Sequence, residues 1–385
     1  MVKPGASRRS AIDPFIVMDV MTAAADREAA GARVVHMEVG EPGAAPPFAV
    51  REAARAALGG GRIGYTEALG ARPLRQRIAR YYAETHGVEV PIGRIAVTTG
   101  SSGAFNLSFL AAFDAGDRVA LTAPGYPAYR NILKALGLVP VEIETHAADR
   151  HALTPEMLAA AHRAAPLAGV IIASPANPTG TMMTPEALAA LVAAADDLGI
   201  RFVSDEIYHG LVYDGVAETA LKLSPQAIVI NSFSKYYCMT GWRVGWMVLP
   251  DDLVRPVERL AQNFYISAPD LSQRAAIAAF DATEELEAIK ASYAANRLVL
   301  IDRLPSIGFE DIFPVDGAFY VYASVRRFSN DSAEFARRML AEAGVAATPG
   351  LDFDQKRGHA FIRFSFAGTT ADMVEAMDRI ETWLR

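Results

Sequence analysis

Short runs of apolar, often β-branched residues alternate with alanine-rich helical segments through the central part of the 385-residue chain. This alternation predicts an α/β domain whose sheet is mostly parallel. The predicted strands are Arg94–Thr98, Arg118–Leu121, Gly169–Ile172, Arg201–Ser204, Ala227–Ile230 and Arg243–Leu249, and the predicted helices are Gly103–Phe113, Ala128–Leu136, Thr154–Ala165 and Pro185–Leu198. Because such sheets bind ligands at the carboxyl ends of their strands, we expect a site in the turns that follow them.

Two of the predicted helices carry explicit start signals. Thr154 and Thr184 each precede a proline and a glutamate, which places a capping hydroxyl before the first turn and an acid within it. The two threonines are therefore predicted to be helix N-caps.

The last third of the chain changes to an α+β pattern and predicts a second, smaller domain. Its predicted elements are a long helix Leu271–Arg303, a strand Gly317–Ser324, a helix Ser332–Ala343, a strand Ala360–Phe366 and a helix Thr370–Leu384. Pro42, Pro46 and Pro47 interrupt the chain before the first helix of the large domain. We therefore expect residues 1–45 to form an N-terminal arm and part of the small domain, 46–285 the large domain, and 286–385 the small C-terminal domain.

Composition excludes several classes of protein. With 37 Lys and Arg against 44 Asp and Glu, the net charge is −7, so a nucleic-acid partner is not expected. A single cysteine, Cys238, and seven scattered histidines give no metal-ligand pattern and favour a reducing, cytoplasmic location. No apolar stretch approaches the ~18 residues of a membrane span. The first ten residues are expected to form a flexible tail, not a secretory signal.

A lysine and an arginine follow the apolar run that ends near Ile230. Burial would lower the pKa of Lys235 and free its amine to attack carbonyl compounds, pyridoxal phosphate included. Taken alone, the segment favours a lysine that extends from a loop into solvent. Arg243 offers a planar fork suited to phosphate, and Ser232 and Ser234 could add hydroxyl donors. The alternative for Arg243 is a surface salt bridge.

Polar residues also follow the two preceding strands. Asp205 could pair with a protonated pyridine nitrogen, and Tyr208 could donate to a ring oxygen. The alternative for Asp205 is a helix N-cap. Asn177 stands between prolines in a turn and could donate its amide to the same oxygen, or it could belong to a plain turn.

A Gly/Ser-rich segment, Gly100–Ala104, joins a predicted strand to a predicted helix. Backbone N–H groups and the helix dipole make such a turn an anion site, although the segment has neither the dinucleotide-binding pattern nor the P-loop pattern. Tyr126, after the next strand, could stack on a flat ring or pack in the core.

Together these motifs resemble the class I and II aminotransferases, the fold-type-I pyridoxal-phosphate enzymes, from about Val17 to the C-terminus. The motifs are Glu38–Pro42, Tyr65–Gly70, Gly100–Ala104, Asn177–Gly180, Asp205–Tyr208, Ser232–Lys235 with Gly241–Arg243, and Arg363–Phe366. The resemblance implies a large domain with a mostly parallel, seven-stranded sheet flanked by helices, and a smaller α+β domain.

The resemblance also implies roles for individual residues. Lys235, Asp205 and Tyr208 would be catalytic, with Lys235 as the Schiff-base lysine. Arg363, Gly40 and Asn177 would bind substrate, and Tyr65 would reach the phosphate of the neighbouring subunit in a homodimer. No metal is implied. The cofactor, pyridoxal 5'-phosphate, would contact Lys235, Asp205, Tyr208, Asn177, Ser101, Ser102, Gly103, Tyr126, Ser232, Ser234, Arg243 and Tyr65.

The expected function is transfer of an amino group from an L-amino acid to a 2-oxo acid such as 2-oxoglutarate or pyruvate. A neutral or aromatic donor is favoured because the region 263–269 has no second arginine for a side-chain carboxylate, and aspartate is the main alternative. A β-eliminating C–S lyase on the same fold and a non-enzymatic cofactor-sensing regulator are the rival functions. The candidate side-chain pocket comprises Phe15, Ile16, Val17, Tyr65, Tyr126, Tyr265 and Phe319.

Overall fold

A computed structural model describes residues 5–385. Twelve helices and twelve strands are described in it. The helices are α1 Ile16–Ala29, α2 Phe48–Gly59, α3 Arg72–His86, α4 Gly100–Ala112, α5 Pro127–Leu136, α6 Pro155–Ala164, α7 Pro185–Asp197, α8 Asp251–Phe264, α9 Asp270–Ala279, α10 Thr283–Ile307, α11 Ser332–Arg338 and α12 Thr370–Leu384. The strands are β1 Val35–His36, β2 Ile95–Thr98, β3 Arg118–Ala123, β4 Val139–Glu144, β5 Gly169–Ala173, β6 Arg201–Asp205, β7 Ile228–Ser232, β8 Gly245–Val248, β9 Tyr320–Ser324, β10 Val345–Ala346, β11 Thr348–Pro349 and β12 Phe361–Ser365.

The large sheet has seven strands in the order β2-β8-β7-β6-β5-β3-β4. Strand β8 runs antiparallel to β2 and β7, and the other pairings are parallel. Side chains alternate between two apolar cores, so that Val170 and Ile172 face one core and Ile171 faces the other. Helices cover both faces, which explains why the central strands are apolar throughout. The predicted α/β fold with a mostly parallel sheet is confirmed.

The six predicted strands all belong to this sheet, but β4 was missed. Its sequence, Val139–Glu144, mixes a proline and two acids with three apolar residues. It pairs only with β3 at the sheet edge, and most of its residues are only half-buried. An edge strand need not be apolar on both faces, so its sequence lacked the signal of its neighbours.

A second, three-stranded antiparallel sheet has the order β11-β12-β9. Its register places Arg363 of β12 opposite Tyr322 of β9 and Thr348 of β11. Strand β1, near the N-terminus, pairs in parallel with β10, so an N-terminal segment packs with the C-terminal part of the chain. The predicted domain boundary at 285/286 falls in the first turn of α10, and the three-part division remains a prediction.

The single long helix predicted over Leu271–Arg303 is wrong, because the chain forms α9 and α10 with a break at residues 280–282. Phe280 ends α9 by turning into the core against Phe233, Tyr237 and Trp246. Burial of this ring outweighs helix continuation. The sequence analysis missed α1, α3 and α8, and it expected a helix after Pro47, where α2 lies, without giving its bounds.

Both predicted helix caps are confirmed. The Thr154 hydroxyl accepts from the Met157 N–H at 3.3 Å, and the Thr184 hydroxyl accepts from the Ala187 N–H at 3.2 Å. The predicted N-terminal tail lies outside the described residues over 1–4, and Arg8–Ser10 forms one 3-10 turn. Within residues 5–385, no helix combines the length and apolar character needed to cross a bilayer.

Candidate active site

The carboxyl ends of β5, β6 and β7 meet one cavity of about 520 Å³, which α1 and the second sheet also border. Its walls come from segments far apart in sequence. The lining residues are Phe15, Val17, Met18, Met21, Val39, Gly40, Ser101, Ser102, Tyr126, Tyr129, Ala173, Asn177, Asp205, Ile207, Tyr208, Ser234, Lys235, Thr240, Arg243, Tyr320 and Arg363. The structure thus brings together most of the predicted site residues.

Lys235 lies three residues after β7 and points its amine into the cavity, where it donates to the carbonyl oxygen of Gly40. Burial lowers its pKa to about 8, because the charged ammonium loses water. Arg363 and Arg243 act in the same direction, whereas Glu41 and Asp205 oppose them. At pH 7 roughly a tenth of the amine is therefore uncharged, far more than for an ordinary lysine, and this fraction can act as nucleophile or base.

Asp205 ends β6 and is buried at the cavity floor. Burial raises the pKa of its carboxyl to about 6. The Tyr129 hydroxyl donates to Oδ2, and the Ile207 N–H donates to Oδ1 at 3.1 Å, and both bonds oppose that rise. These two donors favour the ionised carboxylate that could accept a positive partner.

Two tyrosine hydroxyls meet in the same cavity. Tyr208 and Tyr320 are hydrogen-bonded at 2.7 Å, oxygen to oxygen. Burial raises the pKa of both phenols, so both are neutral hydroxyls at physiological pH. Only one of them donates in their mutual bond, so the other retains its proton for a ligand atom.

Arg363 is buried, and the rings of Tyr320 and Phe353 lie 4.4 and 4.8 Å from its guanidinium carbon. Its Nη1 donates to Oδ1 of Asn177 at 3.0 Å, and its Nη2 donates to the carbonyl of Glu38 and, at 3.2 Å, to the hydroxyl of Thr348. Its Nε is buried with no acceptor. A buried cation with an unused donor is suited to an incoming anion such as a carboxylate.

The contact with Arg363 also fixes the orientation of Asn177. A guanidinium only donates, so the amide oxygen must face Arg363 and the amide NH₂ remains available to donate. The turn between β5 and α7 therefore presents a donor to the cavity, and its predicted bond to a ring oxygen remains a prediction.

The first turn of α4 forms a second end of the cavity through Ser101 and Ser102. The first backbone N–H groups of any α-helix lack intrahelical acceptors, and no side chain at the N-cap of α4 accepts from them. A Cβ built on Gly100 would lie 2.7 Å from Nη2 of Arg243, which shows how closely the guanidinium approaches this turn. Helix dipole, free amides and guanidinium together form an anion site.

The wall opposite the sheet is apolar and comes from the start of the chain. Phe15 precedes α1, and Val17, Met18 and Met21 project from its first two turns into the cavity. The Phe15 ring packs edge-on against Tyr126 at 5.8 Å between centroids. A ligand held between the sheet and α1 would therefore place its apolar part against these side chains.

Several predicted site residues do not line this cavity. They are Ser232, Gly103, Tyr65, Ile16, Tyr265 and Phe319. Ser232 instead bonds to the hydroxyl of Ser234 at 2.9 Å, Gly103 is buried in α4, and Phe319 is buried in the core beside β9. Tyr65 is 78% exposed and shares a separate surface cavity with Tyr265. The cofactor contacts expected of Ser232, Gly103 and Tyr65 remain predictions.

Among the cavity residues that the sequence analysis missed are Tyr129, Tyr320, Met18 and Met21. Tyr129 stands three residues after Tyr126, so the two share one face at the start of α5. Tyr320 is adjacent to Phe319, which was chosen in its place, and neighbours in an extended segment point to opposite sides. The helical spacing of Tyr126 and Tyr129 and the alternation of Phe319 and Tyr320 are both visible in the sequence. Using them requires knowing where the helix and the strand begin.

Comparisons with a family model, with curated proteins and with solved structures agree. Residues 32–380 match the family model described as "Aminotransferase class I and II". The chain is 51% identical over 380 residues to a valine–pyruvate aminotransferase of Mycobacterium tuberculosis, covering 98% of this chain and 97% of the other. It superposes on a crystal structure of an aminotransferase from Mycobacterium tuberculosis with TM-score 0.96 and 50% identity over 99% of each chain.

A more distant structure is also similar. The aspartate aminotransferase of Thermus thermophilus with maleate superposes with TM-score 0.93 and 30% identity, covering 98% of this chain and 99% of that one. The fold is therefore shared with relatives whose names differ in amino-acid substrate.

Replacing Tyr129 with phenylalanine should raise the pKa of Asp205 above its value of about 6. A hydrogen bond to a charged acceptor is worth about 1.5–3 kcal/mol, and about 1.4 kcal/mol corresponds to one pKa unit, so we expect a rise of about one to two units. The measurement is a ¹³C NMR titration of aspartate carboxyl groups, with Asp205→Asn identifying the signal. Tyr126→Phe, which removes a neighbouring hydroxyl that does not bond to Asp205, should leave the pKa near 6. An unchanged pKa in Tyr129→Phe would contradict the assigned bond.

Proposed function

The chain belongs to the class I and II aminotransferases, and we propose that it moves the amino group of a neutral aliphatic L-amino acid to pyruvate or a similarly small 2-oxo acid, with pyridoxal 5'-phosphate as cofactor. The observation that carries the proposal is the division of one cavity between a charged floor and the apolar α1 wall. Among the described lining residues, the cations are Lys235, Arg243 and Arg363. Lys235 is proposed to bind the cofactor aldehyde, Arg243 the phosphate and Arg363 the substrate α-carboxylate. No lining cation therefore remains to bind a carboxylate on the substrate side chain.

The residues present fit pyridoxal phosphate. Ser101, Ser102, Ser234 and Arg243 surround the anion site at α4, where the phosphate would bind. Asp205 would face the ring nitrogen from the cavity floor, and the Tyr126 ring would stack on the cofactor ring. These groups line one continuous space with Lys235, which supports the assignment.

When bound, pyridoxal phosphate supplies an aldehyde that condenses with amines and a ring that takes up the electrons released at the substrate Cα. Lys235 would hold the cofactor covalently through Nζ and, when its amine is free, take the Cα proton and return it. Asp205, kept ionised by Tyr129, would hold a proton on the ring nitrogen. Asn177 and Tyr208 would donate to the ring oxygen.

Arg363 would orient the substrate. Its unused Nε and its fork geometry suit the α-carboxylate, and the backbone of Gly40 lies nearby in the same cavity. Fixing the carboxylate turns the Cα–H bond toward Lys235 and the side chain toward the α1 wall. The relative named for valine and pyruvate supports this substrate class.

A homodimer completes the proposal. Tyr65 lines one surface cavity with Ile63 and Tyr265, and all three side chains are exposed, which favours association with another apolar surface. The surface cavity beside Tyr65 also contains Thr99, which immediately precedes α4 and the proposed phosphate site. Tyr65 of the partner subunit is therefore proposed to reach the phosphate. The single cysteine supports a reducing, cytoplasmic location.

The decisive experiment follows the visible absorbance band of the bound cofactor during addition of single amino acids. Without an acceptor, valine, isoleucine and alanine should bleach the band and yield one 2-oxo acid per site, whereas aspartate should bleach it weakly. Adding pyruvate should restore the band and, with valine as donor, form alanine. Lys235→Ala should lose turnover by orders of magnitude. Preferential bleaching by aspartate would overturn the substrate class. When a cysteine S-conjugate, which carries a leaving group on Cβ, is added instead, a stable band with accumulating pyruvate and ammonia would indicate the β-eliminating lyase.

Arg363→Ala should raise the KM for valine by about 10- to 100-fold, because about 1.5–3 kcal/mol of charged hydrogen bonding to the α-carboxylate is lost. Arg363→Lys keeps the charge without the fork, so its KM for valine should lie between those of the wild type and Arg363→Ala. Valine amide, which has no carboxylate, is the matched control and should react equally poorly with all three. An unchanged KM for valine in Arg363→Ala would remove this residue from the substrate site.

Mixing Tyr65→Ala with Lys235→Ala protein tests the shared site. At limiting pyridoxal phosphate each variant alone should be nearly inactive, the first from weak cofactor binding and the second from loss of the amine. After subunit exchange, mixed dimers contain one site with neither change, so activity should return toward one quarter of wild type, a value set by statistical mixing and one good site per mixed dimer. No recovery, with exchange verified by mass spectrometry, would contradict sharing of Tyr65.

A further inference from the structure

The helix that carries the apolar wall has no cap of its own. Phe15, at the N-cap of α1, offers no side-chain acceptor, and the Met18 N–H bonds to the Phe15 carbonyl at 2.9 Å. The Ile16 and Val17 N–H groups instead donate to the carboxylate of Asp352, at 3.1 and 3.4 Å. The missing cap is thus supplied by a residue 336 positions further along the chain.

Asp352 is itself held by rigid parts of the site. It is buried, and its carbonyl accepts from Nη2 of Arg130 in α5 at 3.3 Å. The next residue, Phe353, packs on Arg363 and accepts at its carbonyl from the Gly125 N–H at 3.0 Å. One short segment, 350–354, therefore contacts both Arg363, which is proposed to bind the α-carboxylate, and the start of α1.

The charge of Asp352 also bears on what the cavity accepts. Burial raises the pKa of its carboxyl, while the two N–H donors and the charges of Arg363 and Arg130 favour the ionised form. An ionised Asp352 occupies the positive end of the α1 dipole, which would otherwise attract an anion. A substrate side-chain carboxylate placed against Phe15 and Val17 would face a second negative charge across a medium of low dielectric constant.

We propose that Asp352 is a positioning residue that fixes the α1 wall relative to Arg363 and, through its charge, makes the enzyme discriminate against amino acids with acidic side chains. The selectivity part rests on the proposed function, whereas the anchoring of α1 does not. The fixed spacing between Arg363 and the wall would favour a side chain long enough to contact the wall, as in valine, over the shorter side chain of alanine.

Hydrogen–deuterium exchange tests the anchor, with and without bound pyridoxal phosphate. In Asp352→Ala the amides of Ile16 and Val17 lose their only acceptor and should exchange at least about tenfold faster. Asp352→Asn keeps one oxygen acceptor and should show a smaller change, and it serves if the alanine variant does not fold. Asp354→Asn is the matched control, because the Asp354 carboxylate caps Lys356 and Arg357 instead. Unchanged exchange at Ile16 and Val17 in both Asp352 variants would overturn the anchor.

Steady-state kinetics on the cofactor-loaded enzyme test selectivity. Asp352→Ala should lower kcat/KM for valine through KM, with a smaller effect on alanine, whose side chain does not reach the wall. Asp352→Asn should raise the ratio of kcat/KM for aspartate over valine by about tenfold, since it removes the charge and keeps the volume. Faster exchange with unchanged substrate ratios would overturn the selectivity role alone. A wild type that does not use neutral amino acids would instead refute the proposed function and leave the exchange result standing.

Discussion

A buried guanidinium holds the two halves of the cavity together. Placing the charge of Arg363 in the interior is unfavourable unless its donors find acceptors, and its acceptors come from three distant segments, at Glu38, Thr348 and Asn177. Tyr320 and Phe353 cover its faces. The β12 strand, the turn after β5 and the segment after β1 must therefore converge for this charge to be tolerated, and their convergence forms the cavity. Two of its five N–H groups, that of Nε and the second one of Nη1, have no acceptor among these contacts.

The cost of burying a charge also distinguishes two neighbouring carboxyl groups at the end of β6, Asp205 and Glu206. Asp205 points to the cavity, whereas Glu206 points to the opposite side and accepts from Ser204, Thr219 and Ala220. Burial raises the pKa of both carboxyls, to about 8 for Glu206 and to about 6 for Asp205, and their donors oppose the rise in both cases. The charge of Asp205 raises the pKa of Glu206 further, whereas the charge of Lys235 lowers that of Asp205. One carboxyl can therefore stabilise the turn, and the other remains available for charge pairing in the site.

Much of the architecture could be predicted from the sequence. The β-branched runs located six strands of the large sheet, because strands buried on both faces are apolar along their whole length. The same logic failed for β4, which is at the sheet edge, and for the break between α9 and α10, where burial of Phe280 overrides helix periodicity. Five residues of the site could be located because each ends, follows or precedes a strand of that sheet and lines the cavity at the edge where the strands end. They are Lys235, Asp205, Asn177, Tyr208 and Arg243.

The sequence by itself determined which residue types stand at the strand ends, and hence the chemistry available there. Only the tertiary structure decided which side chains share one space. Tyr320 lines the cavity while its neighbour Phe319 does not, and Tyr65 faces outward from the described chain. The bond from Tyr129 to Asp205 and the cap that Asp352 gives to α1 join residues 76 and 336 positions apart. Local sequence patterns report the periodicity of single elements, whereas such contacts depend on how separate elements pack, so no local pattern could reveal them.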